Sequence, residues 1–221
     1  MSESLQNLTE VMYMKIKGII LIFILLLIVS AESMAKSVCK KEEDVGGSGK
    51  YPYNFRVIDG KLYAGGSFFN PENHGNSTEK VRSYIKLLKS MGVTSIIALN
   101  SPPSEEEKIV KKEGLIFYSC PMNAEKVPNS KETAKIMELI DKKAYVHCEW
   151  GADRTGAVIA KYLRLKCGYK GYDAWKAVIT EGSHAGIIGG FKQNYGNSKL
   201  LLYFWPEVVK ESPKICEIYG I

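Results

Sequence analysis

Cys148 and Arg154 stand with five residues between them in the stretch Val146-His147-Cys148-Glu149-Trp150-Gly151-Ala152-Asp153-Arg154-Thr155-Gly156. A thiolate is a strong nucleophile, and a guanidinium presents a planar fork that can hold two oxygens of one phosphoryl group. Ala144-Tyr145-Val146 is a short apolar lead-in that predicts a buried strand. From Thr155 onward, Ala157, Val158, Ile159, Ala160, Tyr162 and Leu163 predict a helix. The stretch between them is therefore a loop running from a strand's C-terminal end into a helix N-terminus. Unpaired N–H groups and the positive end of the helix dipole converge there, which suits a phosphate dianion. The same field favours a thiolate: a free cysteine titrates near ~8.5, and such surroundings lower that to roughly 3.5–7.5. Cys148 is the expected nucleophile, and Glu149, Trp150, Gly151, Ala152, Asp153 and Arg154 are the expected phosphate cradle. The Thr155 hydroxyl is expected to hydrogen-bond the Cys148 sulfur, and His147 and Gly156 to shape the loop without touching substrate. A buried structural cysteine with a chance arginine would account for a bare Cys-x5-Arg, but not for the whole pattern. No other cysteine in the chain has an arginine six residues downstream.

His147, Cys148, Gly151, Arg154, Thr155 and Gly156 match the His-Cys-x5-Arg-Ser/Thr-Gly signature, so the chain resembles the cysteine-dependent protein tyrosine and dual-specificity phosphatases. Gly-Ala-Asp-Arg-Thr-Gly resembles more narrowly a bacterial dual-specificity-like branch. The similarity runs from about Phe55 to Trp205 and is specific only around the loop. It implies an α/β fold: a single domain with a mainly parallel central sheet flanked by helices. It also implies phosphomonoester hydrolysis through a cysteinyl-phosphate, with neither cofactor nor metal. Tyr53-Asn54-Phe55-Arg56-Val57-Ile58-Asp59-Gly60-Lys61-Leu62-Tyr63-Ala64-Gly65-Gly66 resembles the opening strands of bacterial and fungal members, departing at Ala64, where that pattern carries arginine.

The reaction needs an acid for the leaving oxygen and then a base for water. Many family members carry it as an aspartate on the loop one helix before the cysteine. Here that loop, Pro121-Met122-Asn123-Ala124-Glu125-Lys126-Val127-Pro128-Asn129, has none. Asp153 is the preferred substitute. It matches the Cys-x-x-Gly-x-Asp-Arg loop of myotubularin-like and bacterial lipid-like phosphatases, in which a loop aspartate is assigned this role. Glu125 is the alternative. The plainer readings are a carboxylate that braces the loop for Asp153, and a solvated one for Glu125. His74 and His184 lack metal-ligand spacing.

The elements that must position the loop follow from periodicity. Two alternating runs about Asp59-Gly60 predict a hairpin. Asn76-Ser77-Thr78-Glu79 reads as a capping box for a helix burying Val81, Tyr84, Ile85 and Leu88 and ending at Gly92. Val93 to Leu99 is expected as a buried strand. Ser104-Glu105-Glu106-Glu107 opens a short helix ending at Gly114, and Leu115 to Cys120 returns as a strand. Ser130 is expected to cap a helix carrying Ile136, Met137 and Ile140. After the loop helix, Gly168 is a stop and Asp173 the expected cap of a helix bearing Trp175, Val178 and Ile179, which Gly182 ends. Ser183 to Asn197 reads as irregular, and Leu200 to Trp205 as a packed core helix stopped by Pro206. This strand–helix alternation predicts parallel neighbours, with ligands bound at the strands' C-terminal ends.

The 221 residues, 45% hydrophobic, suffice for one catalytic domain with appendages. A net charge of +6 with scattered basic residues does not point to nucleic acid. Lys15 and Lys17 precede an uncharged run, Gly18 to Ala31, too short for a comfortable ~20-residue span. It reads as a signal peptide cleaved after Ala35, with Ala31 as second choice, Met14 as the suspected initiator, and an uncleaved membrane anchor over 18–31 as the alternative. The expected organisation is a signal peptide over 1–35, a flexible tether over 36–52 and a phosphatase domain over 53–221, exported to a periplasmic or extracellular space. There Cys39, Cys120, Cys167 and Cys216 could form disulfides. Unlinked thiols at Cys120 and Cys148 are preferred to a protective bond between them.

The expected substrates are phosphotyrosine- or phosphoserine-type proteins, with phosphoinositides or inositol phosphates as the alternative. Phosphate, vanadate or sulfate would be the site's anion. Two other classes, an inactive phospho-ligand binding module and a sulfurtransferase, fit the complete Cys148, Arg154 and Thr155 set less well.

Overall fold

The computed structural model describes residues 41–44, 49–69, 77–180 and 190–221, and Lys17. The chain divides between Val38 and Cys39, and the second unit holds every element named below. The expected signal segment and cleavage site, His74, Gly182 and His184 lie outside the described residues. Among the described residues, no helix is long and apolar enough to cross a membrane.

Six strands form one sheet: β1 (Lys41–Asp44), β2 (Phe55–Ile58), β3 (Leu62–Gly66), β4 (Ser95–Ala98), β5 (Ile116–Ser119) and β6 (Ala144–Cys148), in the order β1-β2-β3-β6-β4-β5. β1, β2 and β3 are antiparallel neighbours, whereas β3, β6, β4 and β5 run parallel. β6 thus has a parallel strand on each side, and Cys148, its last residue, emerges at the C-terminal edge. The alternation expected of strands divides the core in two. Leu62, Ala64, Ile97, Ala144, Val146 and Cys148 face one apolar cluster, while Tyr63, Ile96 and Tyr145 face the other.

The second cluster is covered by α1 (Thr78–Ser90), through Val81, Tyr84, Ile85 and Leu88, and by α2 (Ser104–Lys112), through Ile109 and Val110. The first is covered by α3 (Ser130–Asp141), α4 (Asp153–Lys166), α5 (Gly171–Val178), α6 (Ser198–Phe204), α7 (Val208–Glu211) and α8 (Pro213–Tyr219). The Leu200–Trp205 aromatics belong to this core, Phe204 and Trp205 being wholly buried.

The hairpin forms as read, with Asp59 and Gly60 both at positive φ (51° and 72°) in the three-residue connection, Asp59 to Lys61, between the paired Ile58 and Leu62. Several boundaries move. Ser77 caps α1, its hydroxyl accepting from the Lys80 N–H at 3.2 Å; Lys80 stands where a capping box would need a carboxylate, and Asn76 lies outside the described residues. Asn129, not Ser130, caps α3. Its side chain accepts from the Lys131 and Glu132 N–H groups while Glu132 accepts from the Asn129 N–H at 2.8 Å, a reciprocal pair that a serine one residue later could not make. Asp173 sits inside the first turn of α5, whose cap is Lys170. Ile179 leaves that helix to pair as β7 (Ile179–Thr180) with β8 (Phe191–Lys192). The strand expected over Val93–Leu99 is confined to β4, although Val93 and Leu99 are buried. Lys41–Asp44, inside the stretch read as a tether, forms an edge strand along β2.

Candidate active site

Gly151 has φ +67°, where the chain reverses between β6 and α4. A Cβ there would lie 2.3 Å from the Gly65 carbonyl carbon, 2.4 Å from its oxygen and 2.6 Å from the Gly66 nitrogen, so the loop lies directly against the end of β3. Donors from the hairpin grip the loop's carbonyls from outside. The Ser67 N–H donates to Glu149 O at 3.1 Å, and Asn54 Nδ2 donates to Trp150 O and Gly151 O at 3.3 Å each. Arg56, wholly buried, donates from Nη2 to Gly151 O at 2.5 Å and from Nη1 to Asn54 O at 2.5 Å. The C=O and N–H of a trans peptide point in opposite directions. Holding three consecutive carbonyls outward therefore turns the N–H groups of Trp150, Gly151 and Ala152 inward. The cradle continues into α4, whose cap residue Ala152 offers no side-chain acceptor, leaving the first-turn N–H groups for an anion.

Cys148 lies at the base of this cradle, 2% exposed and free. Arg154, half-buried in the first turn of α4, has no hydrogen bond or ion pair to another described residue. Thr155 is wholly buried, and its hydroxyl makes no hydrogen bond among the described residues, so the expected bond to the Cys148 sulfur is not made. A buried hydroxyl without a partner is costly unless something completes it. Here the arrangement can hold a tetrahedral oxyanion between inward N–H groups and a guanidinium, above a thiol.

Residues 72–186, more than half the chain, match the family model for the Swiss Army Knife protein, DSP-PTPase phosphatase domain (PTP-SAK). The chain belongs to this family. Among solved structures, it is similar to TpbA of P. aeruginosa, with 13% identity over 82% of this chain and 95% of that one (TM-score 0.51). It is equally similar to a cysteine-to-serine variant of TpbA in complex with phosphotyrosine, with 12% identity over 82% and 94% (TM-score 0.51). At these identities the likeness is one of fold. No curated protein matches the chain significantly.

In this PTP-SAK phosphatase domain both acid candidates are engaged. Asp153 Oδ1 accepts from the Lys192 N–H at 2.7 Å and from Asn197 Nδ2 at 2.6 Å, and Asn197 Nδ2 also reaches Lys192 O at 2.9 Å. This ties the first turn of α4 to β8. Glu125, with 84% of its side chain exposed, pairs with Lys199 at 3.0 Å. Asn123 Oδ1 accepts from the Glu125 and Lys126 N–H groups, so the loop expected to carry the acid is a tight turn. At the rim, Asn100 Nδ2 donates to Glu149 Oε2 at 3.1 Å, and Trp150 meets Tyr53 edge-on with ring centroids 5.9 Å apart. Gly156 packs its α-carbon toward Phe191.

His147 points to the opposite face of the sheet from Cys148, wholly buried among Phe68 and Tyr145, with Nε2 2.9 Å from Glu106 Oε1. Cys120, also free, follows β5, which β4 separates from β6, and its thiol is pushed up by burial, with Glu132 adding to the effect, which makes it a poor thiolate. Cys167 is disulfide-bonded. Among the described residues no cluster of three metal-ligating side chains occurs.

Asn54, Arg56, Glu106, Asn100, Lys192 and Asn197 were not expected at the site. Of these, Asn54 and Arg56 lie in the stretch that resembles the family's opening strands, and Arg56 stands opposite Ala64 in the ladder. That is the position from which the patterned arginine is missing.

Proposed function

We propose that this phosphatase domain hydrolyses phosphomonoesters of tyrosine- or serine-type protein substrates through a cysteinyl-phosphate. The observation that carries the reading is the outward grip on the carbonyls of Glu149, Trp150 and Gly151 around a buried free Cys148, with Arg154 unengaged beside it. The Cys148 thiolate attacks phosphorus, and the bond to the ester oxygen breaks. The equatorial oxygens, where charge is concentrated, lie against the N–H groups and the Arg154 fork. Asp153 gives its proton to the departing oxygen, and its carboxylate then takes one from the water that cleaves the P–S bond. Thr155, whose hydroxyl has no partner among the described residues, is assigned the hydrogen bond to the leaving sulfur at that second step. For Asp153, the two donors on Oδ1 fix the carboxyl's orientation and leave the proton to Oδ2.

The phosphotyrosine complex of the TpbA variant supports a phosphorylated-protein substrate, as does the aromatic Tyr53–Trp150 pair at the rim. The disulfide at Cys167 supports export to an oxidising compartment.

Cys148→Ser is expected to abolish turnover of an aryl phosphate while orthophosphate still binds; residual turnover above a few per cent would refute the mechanism. Asp153→Asn and Glu125→Gln separate the acids. The true acid's loss is expected to slow a poor alkyl leaving group by about 10²-fold or more and a good aryl one far less. A flat leaving-group dependence in Asp153→Asn together with a steep one in Glu125→Gln would transfer the role to Glu125.

A further inference from the structure

A groove of about 810 Å³ runs between α3, α4 and α6, and no residue of the cradle lines it. That volume is within the range of ligand sites, roughly 300–1,000 Å³. Its walls are largely apolar, with Met137 from α3, Leu165 from α4, and Leu202 and Tyr203 from α6. Leu165 is 55% exposed, although Ala157, Val158, Ile159 and Leu163 of the same helix are wholly buried. One end of the groove is made by Val127 and Pro128, from the loop that leaves β5 at the same sheet edge as Cys148.

The charges around the groove are matched except for one. Lys166 pairs with Asp141 at 2.6 Å, and Glu138 pairs with Lys135 at 2.9 Å and with Lys142 at 2.7 Å. Lys161 is half-buried between the apolar walls and has no carboxylate within ion-pair distance among the described residues. Its Nζ donates to Tyr203 O at 2.9 Å and lies 5.3 Å from the centre of the Tyr203 ring, which leaves N–H groups for a further acceptor. Burial lowers the Lys161 pKa; Arg164 adds to the effect and Glu207 opposes it. A desolvated cation of this kind is stabilised when an anion is laid against it, and the apolar walls strengthen that attraction.

An inorganic anion would leave the walls wet, and a purely apolar chain would leave Lys161 unmatched. A nucleic-acid strand needs a row of available cations, whereas the other lysines here are already paired. A bilayer surface attracts exposed cations rather than a half-buried one. We propose that this groove docks a protein partner through an extended segment in which a carboxylate side chain lies beside leucine- or phenylalanine-like ones. The carboxylate takes the remaining N–H groups of Lys161, the apolar side chains cover Leu165 and Leu202, and the exposed lysine–carboxylate pairs form the polar rim. Docking is independent of the chemistry at Cys148 and goes beyond the phosphatase reading.

The probe is a fluorescein-labelled peptide of sequence Leu-Glu-Leu-Phe-Glu-Leu, titrated with the full chain and read by fluorescence polarisation. Saturable binding with Kd below about 1 mM is expected, weakening about tenfold or more in Lys161→Gln and in Leu165→Asp. Lys161→Arg, which keeps the charge, should bind within about threefold of the parent. The same peptide with glutamine in place of glutamate should bind the parent about tenfold more weakly and be indifferent to Lys161→Gln, the coupling expected of a direct pair. Aryl phosphate turnover should match the parent in all three variants, which shows that they fold. No saturation below about 1 mM, or equal binding by parent, Lys161→Gln and Leu165→Asp, would overturn the proposal. So would an equal loss of both peptides in Lys161→Gln. Phosphatidylserine-containing vesicles that bind the parent but not Lys161→Gln, with the peptide unbound, would assign the groove to a membrane and overturn it as well. Cys148→Ser should bind the peptide as the parent does. Turnover surviving in that variant would therefore remove the phosphatase mechanism and leave the docking groove standing.

Discussion

Replacing Gly151 by alanine tests whether the cradle's shape, rather than its residue types, carries binding and turnover. Alanine at φ +67° costs about 1–2 kcal/mol in backbone strain. The added Cβ would also press on the Gly65 carbonyl and the Gly66 nitrogen at 2.3–2.6 Å. These are backbone atoms of a strand paired on both sides, so β3 cannot give way as a side chain would. The loop must retreat by about 1 Å, and a displacement of that size in a positioned site costs about 10²-fold in rate. The retreat also breaks the bonds from Arg56 and Asn54 to Gly151 O, freeing the peptide to turn its N–H away from the anion. The expected outcome is a fall of about 10²-fold in kcat/KM on an aryl phosphate, weaker inhibition by orthophosphate, and a loss of roughly 1–3 kcal/mol in denaturant stability. Activity within about threefold of the parent, with phosphate affinity unchanged, would refute the account of how the N–H groups are aimed.

Arg56→Met keeps the buried volume but removes the donor to Gly151 O and a fixed positive charge behind the loop; orthophosphate inhibition is expected to weaken about tenfold, and an unchanged inhibition constant would limit Arg56 to packing. Alkaline pH should unfold the domain. Burial pushes Tyr203 up to about 12 and raises Tyr162 and Tyr219 as well, so the stability these phenols contribute is fully present below the unfolded value near ~10 and is lost as pH rises through the folded ones. Denaturant midpoints at about pH 8 and about pH 11 should differ clearly, and equal midpoints would show these hydroxyls to be solvated.

Much of the scaffold was legible because its signals are local. Val81, Tyr84, Ile85 and Leu88 repeat at helical spacing and are buried as one stripe. Asp-Gly dictates the hairpin turn, and the strand–loop–helix around Cys148 has the order its apolar pattern requires. Caps were misplaced by a residue because Asn129 and Ser130, or Asn76 and Ser77, are all competent and only the backbone chooses between them. Lys41–Asp44 looks like a solvated charge run, yet its backbone pairs with β2, a choice made by the sheet's open edge. Glu106 was hidden among equals, since which of three adjacent glutamates faces inward depends on how α2 lies on the sheet. The clamp on Asp153 was illegible for the same reason: Lys192 and Asn197 reach it across 39 and 44 residues.

The grip of the hairpin on the catalytic loop crosses almost a hundred residues, from Asn54 and Arg56 to Trp150 and Gly151. The segment matched by the family model begins at residue 72, after both donors. A fragment trimmed to that segment would keep Cys148, Arg154 and Thr155 in their signature spacing while discarding the hands that hold the loop open. The motif and the site are therefore different objects: the motif is a short word in the sequence, whereas the site is a joint closed only when the first strands have folded onto a loop synthesised much later.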